Sequence, residues 1–285
     1  EISTRDWSSD VCSSDLWGSP LAGAQALNVT RSEGTTMLRR LTILALLLGL
    51  LPLMAAALDI TDDELLLYMP VGDDGGEVLD EGPAGNHGIV AGTVDIVEGQ
   101  YGLGMDFSAD GEVAAPYIEL NERSFTMCMW VNPRLEGEDQ QCVMSQMQTN
   151  ATNTSLHYRV YNAGTVRMGF YSNDLDAPAA VLADEWSHIV FWLDADSQDR
   201  RIYINGEQVA QDAGKSAYLG NAGDTIIGSW GTSGQKFNGL IDEVQIWGRA
   251  LSENDVQDSM LDLMTFAVDA RGKVATTWAG MKRAR

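Results

Sequence analysis

Three cysteines with no Cys-x-x-Cys pair exclude a disulfide-dense scaffold and a cysteine-built zinc site. Basic residues are also scarce. In 285 residues, 18 Lys and Arg stand against 41 Asp and Glu, a formal net charge of −23. That deficit argues against nucleic acid and anionic membrane surfaces as partners, because both reward Lys and Arg. Proline is sparse at 7, and the 29 glycines follow no triplet, which excludes a collagen-like rod. No Gly-x-Ser-x-Gly elbow, P-loop, dinucleotide fingerprint or His-x-x-x-His pair occurs. What remains is a globular composition, 45% apolar and 21% charged, with material for a sizeable core.

The N-terminal part reads as two segments to be set aside from the fold. Arg5–Leu16 (RDWSSDVCSSDL) has no apolar period, cap or targeting logic, and it resembles the translated read-through of a sequencing adapter. Its alternative is a polar leader, and either way residues 1–36 stay outside the fold. Met37 then reads as a start, followed by Arg39, Arg40, the run Leu41–Leu53 and Ala55-Ala56-Ala57. A basic region, an apolar run and small residues in that order make residues 37–57 a signal peptide. A membrane anchor is the competing reading, since Leu41–Leu58 approaches 18 apolar residues; Gly49, Pro52 and the alanines favour cleavage. The expected product is Leu58–Arg285, secreted, periplasmic or held at the cell surface, with no membrane span after cleavage. Within it, Leu58–Ala270 holds nine basic and 36 acidic residues, a net −27, whereas Arg271–Arg285 holds five basic residues and no acid.

From Leu65 to Trp247 short apolar or alternating runs are broken by Gly, Asn, Asp and Pro every ten or so residues. Strands are expected over Glu64–Val71, along Tyr101, Leu103, Met105 and Phe107, and over Ser124–Asn132, with Gln141–Gln148 returning beside the last of these. Further strands are expected over His157–Asn162, Val166–Tyr171, Trp186–Asp194, Arg200–Ile204, Glu207–Ala210, Thr225–Gly228 and Leu240–Trp247. Asn205-Gly206 is a strong type I′ turn signal. Ser252-Glu253-Asn254-Asp255 has the form of a capping box opening a short helix, with Val256, Met260, Leu263 and Met264 as its apolar face. These elements make one all-β sandwich over residues 58–252 and a helix with a basic tail over 253–285.

Several motifs carry a family resemblance. Asn86-His87-Gly88, Gly102–Phe107 (GLGMDF), Phe125–Pro133 (FTMCMWVNP), Trp186–Val190, Ile202–Gly206 and Phe237–Ser252 (FNGLIDEVQIWGRALS) follow the order of the LamG-like, concanavalin A-like jelly rolls. The resemblance spans about Leu65–Ser252, and its last stretch is the most specific. It departs at Val71-Gly72-Asp73-Asp74, where the family's turn usually carries a Phe-Asp-Glu-like sequence. It implies two curved antiparallel sheets, a frequent calcium site and carbohydrate or protein ligands, but no single activity.

Each chemical feature has a structural competitor. Strict alternation puts Asp242 in a row with Leu240, Val244 and Ile246 and sets Glu243 on the opposite face. A carboxylate in an apolar row must be paired, hydrogen-bonded or bound to a cation. Calcium with partner ligands drawn from Asp73, Asp80 and Asp106 is one expectation, and a backbone-capping aspartate is the other. Cys128 and Cys142, on strands read as neighbours, are placed for a disulfide; two buried thiols among methionines are the alternative. His188 reads as a packed histidine. Of the aromatics, Trp230, Tyr158 and Tyr171 are the candidate sugar-stacking residues. No pair of acids two apart on one strand offers a glycosidase centre, so no catalytic residue is assigned. The sequence thus points to a non-catalytic module for glycans or extracellular protein ligands, calcium-stabilised, with a diverged glycoside hydrolase or lyase and an adhesive module as alternatives.

Overall fold

The computed structural model describes residues 58–71, 78–108, 110–146, 148, 150–214, 217–231 and 234–263. The adapter-like segment, the signal segment, Asp73, Met264 and the basic tail lie outside these described residues.

The chain runs through β1 (Leu65–Met69), β2 (Ile89–Ala91), β3 (Asp95–Glu98), β4 (Leu103–Asp106) and β5 (Glu112–Ala115). It continues through β6 (Phe125–Pro133), β7 (Gln140–Gln146), β8 (Leu156–Tyr161), β9 (Val166–Gly169) and β10 (Asp174–Ala177). Then follow β11 (Ser187–Asp194), β12 (Asp199–Ile204), β13 (Glu207–Asp212), β14 (Thr225–Ile227), β15 (Gly239–Trp247) and the helix α1 (Glu253–Asp258). One sheet of eight strands has the order β13-β12-β11-β6-β15-β4-β3, with β1 also paired to β15; the other, of seven, has the order β10-β9-β8-β7-β14-β5-β2. All pairings are antiparallel. Two packed antiparallel sheets joined by crossing connections, with one short helix, make the expected jelly-roll sandwich.

Period-2 alternation explains why these strands pack. Phe125, Met127, Met129 and Val131 of β6 point into the space between the sheets, as do Leu156, Tyr158 and Val160 of β8 and Ile189, Phe191 and Leu193 of β11. Aromatic rings lock the middle of this core: Tyr158 lies 4.1 Å from Phe191, and Phe170 lies 5.4 Å from Tyr218, centroid to centroid. Asn205 and Gly206, at φ 51° and 79°, form the expected tight turn between β12 and β13. Both conformations are left-handed, which Asn and Gly tolerate best.

A second apolar cluster lies on the outer face of the eight-stranded sheet, built from Leu58, Leu65, Tyr68, Cys128, Trp192, Trp247, Val256 and Leu263 among others. The capping box starts α1 as expected: Ser252 accepts from the Asp255 amide, and Asp255 accepts from the Ser252 amide. Ring donors then pin this segment to the sheet. Trp192 Nε1 donates to the Leu251 carbonyl (2.8 Å), while Trp130 Nε1 (3.3 Å) and the Tyr101 hydroxyl (3.0 Å) both donate to Met260.

The disulfide expectation is corrected. β6 has both edges occupied, by β11 and β15, so β7 cannot return beside it and instead joins the opposite sheet between β8 and β14. Cys128 sits beneath α1 on the outer side of the eight-stranded sheet, and Cys142 is in register with Arg159 on the outer side of the seven-stranded one. The two thiols are on different sheets and are free and buried. Burial pushes each of their pKa values up to about 12, so neither is a ready nucleophile. Native protein should therefore resist iodoacetamide at Cys128 and Cys142, and denaturation without reductant should expose both to full alkylation. A cross-linked peptide pair joining the two in non-reduced mass spectra would contradict this arrangement.

Candidate functional site

Two groups of polar side chains stand out, one on each outer face. The first begins at Asp242 and Glu243. Along β15, Asp242 faces Trp130 and Gln245 faces Cys128, so two residues of β15 oppose one of β6. This is a β-bulge, with Glu243 in the left-handed region at φ 53°. It overturns the strict alternation expected from the sequence. Ile241, Val244 and Ile246 enter the core, while the carboxylates of Asp242 and Glu243 both reach groups of the outer layer. Asp242 Oδ2 accepts from the Tyr101 amide (2.9 Å) and Oδ1 from the Glu243 amide (2.8 Å), and Glu243 Oε2 accepts from the Tyr68 hydroxyl (2.8 Å). Burial pushes the Asp242 pKa up to about 6, against the backbone donors that oppose it. Glu243 rises to about 8, through burial first and the charges of Asp242 and Asp262 second, with the Tyr68 hydrogen bond opposing. A cavity of about 290 Å³ opens beside Glu243, lined also by Pro70, Glu81, Tyr101, Leu103 and Asp262.

Of the four candidate calcium ligands, the three among the described residues, Asp80, Asp106 and Asp242, are each engaged with partners of their own. Asp80 is buried and accepts from the amides of Tyr68, Gly82 and Asn86, so it organises the turn after β1. Asp106 forms a two-pronged pair with Arg134 at 2.9 and 2.6 Å, which outweighs its burial and holds its pKa below the usual carboxylate value. Asp242 directs both oxygens to backbone amides, and Asp73 lies outside the described residues. Among the described residues no three His, Cys, Asp or Glu side chains converge as a metal would require. These donor sets do not fit a shared calcium ion, because calcium needs six to eight oxygens around one point.

The second group covers the outer face of the seven-stranded sheet. Register places Ile89, Ala114, Ile226, Ser145, His157, Gly169 and Asp174 in one row across all seven strands. The next row holds Cys142, Arg159, Arg167 and Asp176. His157 Nε2 reaches Asp174 Oδ1 at 3.3 Å, and its Nδ1 lies 2.9 Å from the Ser155 carbonyl. The lack of a side chain at Gly169 makes that reach possible: a Cβ there would overlap the imidazole and lie 2.8 Å from Asp174 Oδ1. Arg167 pairs with both Asp174 (3.1 Å) and Asp176 (2.6 Å). Burial alone would raise the Asp174 pKa, but the His157 hydrogen bond and the charges of His157, Arg167 and Arg159 hold it below its ordinary value. Trp230 lies under this cluster, with the Arg159 guanidinium carbon 4.6 Å from its ring centroid and the His157 ring at 5.4 Å. Tyr161 carries Arg167 over its ring at 5.1 Å.

Of the expected sugar-stacking residues, only Trp230 belongs to this face. Tyr158 shares the inward side of β8 with Leu156 and Val160 and is fully buried. Tyr171 is a central residue of the β9–β10 hairpin turn, at φ 62°, and its carbonyl accepts from the Asn153 amide. The sequence reading missed His157, Arg159, Arg167 and Asp174. Their signal was present: once Leu156, Tyr158 and Val160 face inward, the intervening polar residues must face outward. His188 is packed against Trp130 on the other outer face, and burial lowers its pKa to about 3.

Residues 107–257 match the laminin G-type family model described as the concanavalin A-like lectin/glucanases superfamily, and the chain belongs to this family. No curated protein sequence matches the chain. Among solved structures, it is similar to domain 4 of AbnA, a GH43 extracellular arabinanase from Geobacillus stearothermophilus, in complex with arabinotriose. That match has 18% identity, covers 69% of this chain and 98% of that one, and has a TM-score of 0.56. The binding domain of Paraclostridial Mosquitocidal Protein 1 matches at 19% identity over 68% of this chain and 51% of that one, TM-score 0.54. The receptor binding domain of a botulinum neurotoxin C/D mosaic serotype matches at 12% identity over 68% and 50%, TM-score 0.52. The chain therefore spans about half the length of these two toxin domains. At such identities the likeness is one of fold.

Two outcomes test this geometry. Glu243 has a folded-state pKa above its unfolded one, so its stabilising contribution is complete below about pH 4.5 and disappears as the pH rises through about 8. In EDTA-containing buffer the melting temperature should fall from pH 6.5 to pH 9, and Glu243→Gln, which keeps an acceptor for Tyr68, should flatten that fall. Parallel curves for the two proteins would refute the assignment. Separately, Gly169→Ala should break the His157–Asp174 contact and cost about 1–3 kcal/mol in urea unfolding. Wild-type stability in that variant would show that the glycine is not needed for the contact.

Proposed function

We propose that this chain is an exported, non-catalytic carbohydrate-binding module whose ligand seat is the outer face of the seven-stranded sheet. The observation that carries this reading is the cluster of His157, Arg159, Arg167 and Asp174 around Trp230 on that face. Sugar hydroxyls are recognised by fixed donors and acceptors beside an apolar platform, and this cluster supplies both kinds of group. The opposite face is covered by α1 and its flanking residues, which leaves less room for a polymer there. The family is consistent with this reading, as is a neighbour of the same fold solved with arabinotriose. Export rests on the signal-like segment at residues 37–57.

The enzyme alternative has one feature in its favour, the raised pKa of Glu243 beside a cavity. Its immediate neighbour Asp242 is fully buried with its oxygens on backbone amides, so Asp242 is not available as the second carboxylate of a glycosidase. A glycan array with the purified protein should show retained binding without product. Trp230→Ala should weaken that binding by about tenfold or more, because the buried ring supports Arg159 and His157 from beneath. Release of reducing sugar that vanishes in Glu243→Gln would replace this reading with the enzymatic one. Absence of binding to every glycan would refute it.

A further inference from the structure

Arg159 is 4% exposed and stands in a strongly acidic chain, yet among the described residues no carboxylate oxygen lies within 4.0 Å of it, and the nearby charge of Asp174 is already paired with His157 and Arg167. Among the described residues, Arg123, Arg134, Arg167, Arg200, Lys236 and Arg249 each have an acid within 4.0 Å. Arg201, the other arginine without one, is partly exposed and rests on Trp192 (4.4 Å). Arg159 instead donates through Nε to the neutral amide oxygen of Gln235 (2.7 Å), with its guanidinium carbon 4.6 Å over the Trp230 ring. Its neighbours on the face have their own partners: Asp174 holds His157 and Arg167, Asp176 holds Arg167, and Glu112 holds Lys236. An amide oxygen satisfies one N–H but does not neutralise the charge. A desolvated cation without a counter-charge is costly unless something else supplies one.

Resting on the carbohydrate-binding reading above, we propose that the face selects acidic glycans, whose carboxylate or sulfate pairs with Arg159 by displacing the Gln235 side-chain amide. Trp230 beneath the guanidinium fixes its plane, so the anion approaches along the planar edge, where Arg offers parallel donors. Gln235 is suited to yield. It is partly exposed, and its backbone carbonyl is held separately by the Cys142 amide (2.8 Å), so the side chain can swing while the loop stays bonded to β7. The overall charge of the chain sharpens the expectation. A protein at −23 repels polyanions at long range, so retention of an acidic polymer requires a local cationic seat.

The test compares polygalacturonate (carboxylate), dextran sulfate (sulfate) and neutral galactan by affinity electrophoresis and calorimetry on the purified protein. Wild type should bind one of the acidic polymers at least about tenfold more tightly than galactan, with a preference that shrinks as salt is raised. Which acidic polymer is retained distinguishes a carboxylate from a sulfate ligand. Arg159→Gln should abolish the preference. Since loss of a buried arginine also perturbs the sheet, Gln235→Glu provides the decisive arm: it supplies Arg159 with an internal carboxylate, so the fold should gain thermal stability while the acidic preference is lost. Equal binding of acidic and neutral polymers by wild type, or a preference unchanged in both variants, would overturn this inference and leave glycan binding standing. Failure of wild type to bind any of these polymers or any arrayed glycan would overturn the underlying reading as well.

Discussion

The inward row of β15 is the constraint on which the rest of the molecule depends. β15 is bonded to β6, β4 and β1, so it joins the centre of the eight-stranded sheet to both of its later additions. Ile241, Val244 and Ile246 must all face the core, and they achieve this only because the bulge at Glu243 absorbs one residue. The same bulge sends two adjacent carboxylates to the outer side, where they would repel if both were ionised. Backbone amides take one and the Tyr68 hydroxyl takes the other. A packing requirement in the core thus determines the protonation chemistry of the layer above it.

The two outer faces are consequently very different. On the eight-stranded sheet, Trp130, Trp192 and Tyr101 use their ring donors to hold the α1 segment down, and the aromatic surface becomes internal. On the seven-stranded sheet the aromatic ring of Trp230 lies under Arg159 and His157, whose row continues to the more exposed Arg167, Asp174 and Asp176. Aromatic residues are abundant on both sides, so their number does not identify a binding face. What differs is the layer above them: backbone carbonyls in one case and arginine, histidine and aspartate in the other.

Much of this fold was legible in the sequence, because long strands advertise their period. β6, β8, β11 and β15 could each be read from alternation, and Ser252 with Asp255 announced the helix. Among the strands of three or four residues, β2, β3, β5 and β10 carry too few positions for a period and went unread. Sheet membership was also hidden. Nothing in Gln141–Gln148 says that both edges of β6 are already occupied, so the pairing of Cys128 with Cys142 looked natural. The bulge at Glu243 was invisible for a related reason: one extra residue leaves the composition of a strand unchanged while reversing the side on which the next residue lies. Of the three aromatics expected at a sugar site, Trp230 lies on the face proposed for binding. Tyr158 was misplaced because its aromatic character was given more weight than its position two residues from Leu156 and Val160.

The row from Ile89 to Asp174 has a further consequence of scale. It crosses seven strands, hence six gaps of about 4.8 Å, or roughly 29 Å from end to end. One end is aliphatic, at Ile89, Ala114 and Ile226, and the other is polar, at His157 and Asp174. For the ligand proposed above, such a surface would act as a polarised track and not as a socket for one ring. A ligand lying along it would have a direction, with its apolar faces at one end and its hydroxyl- or acid-rich end at the other, and each added unit would contribute contacts until the sheet ran out.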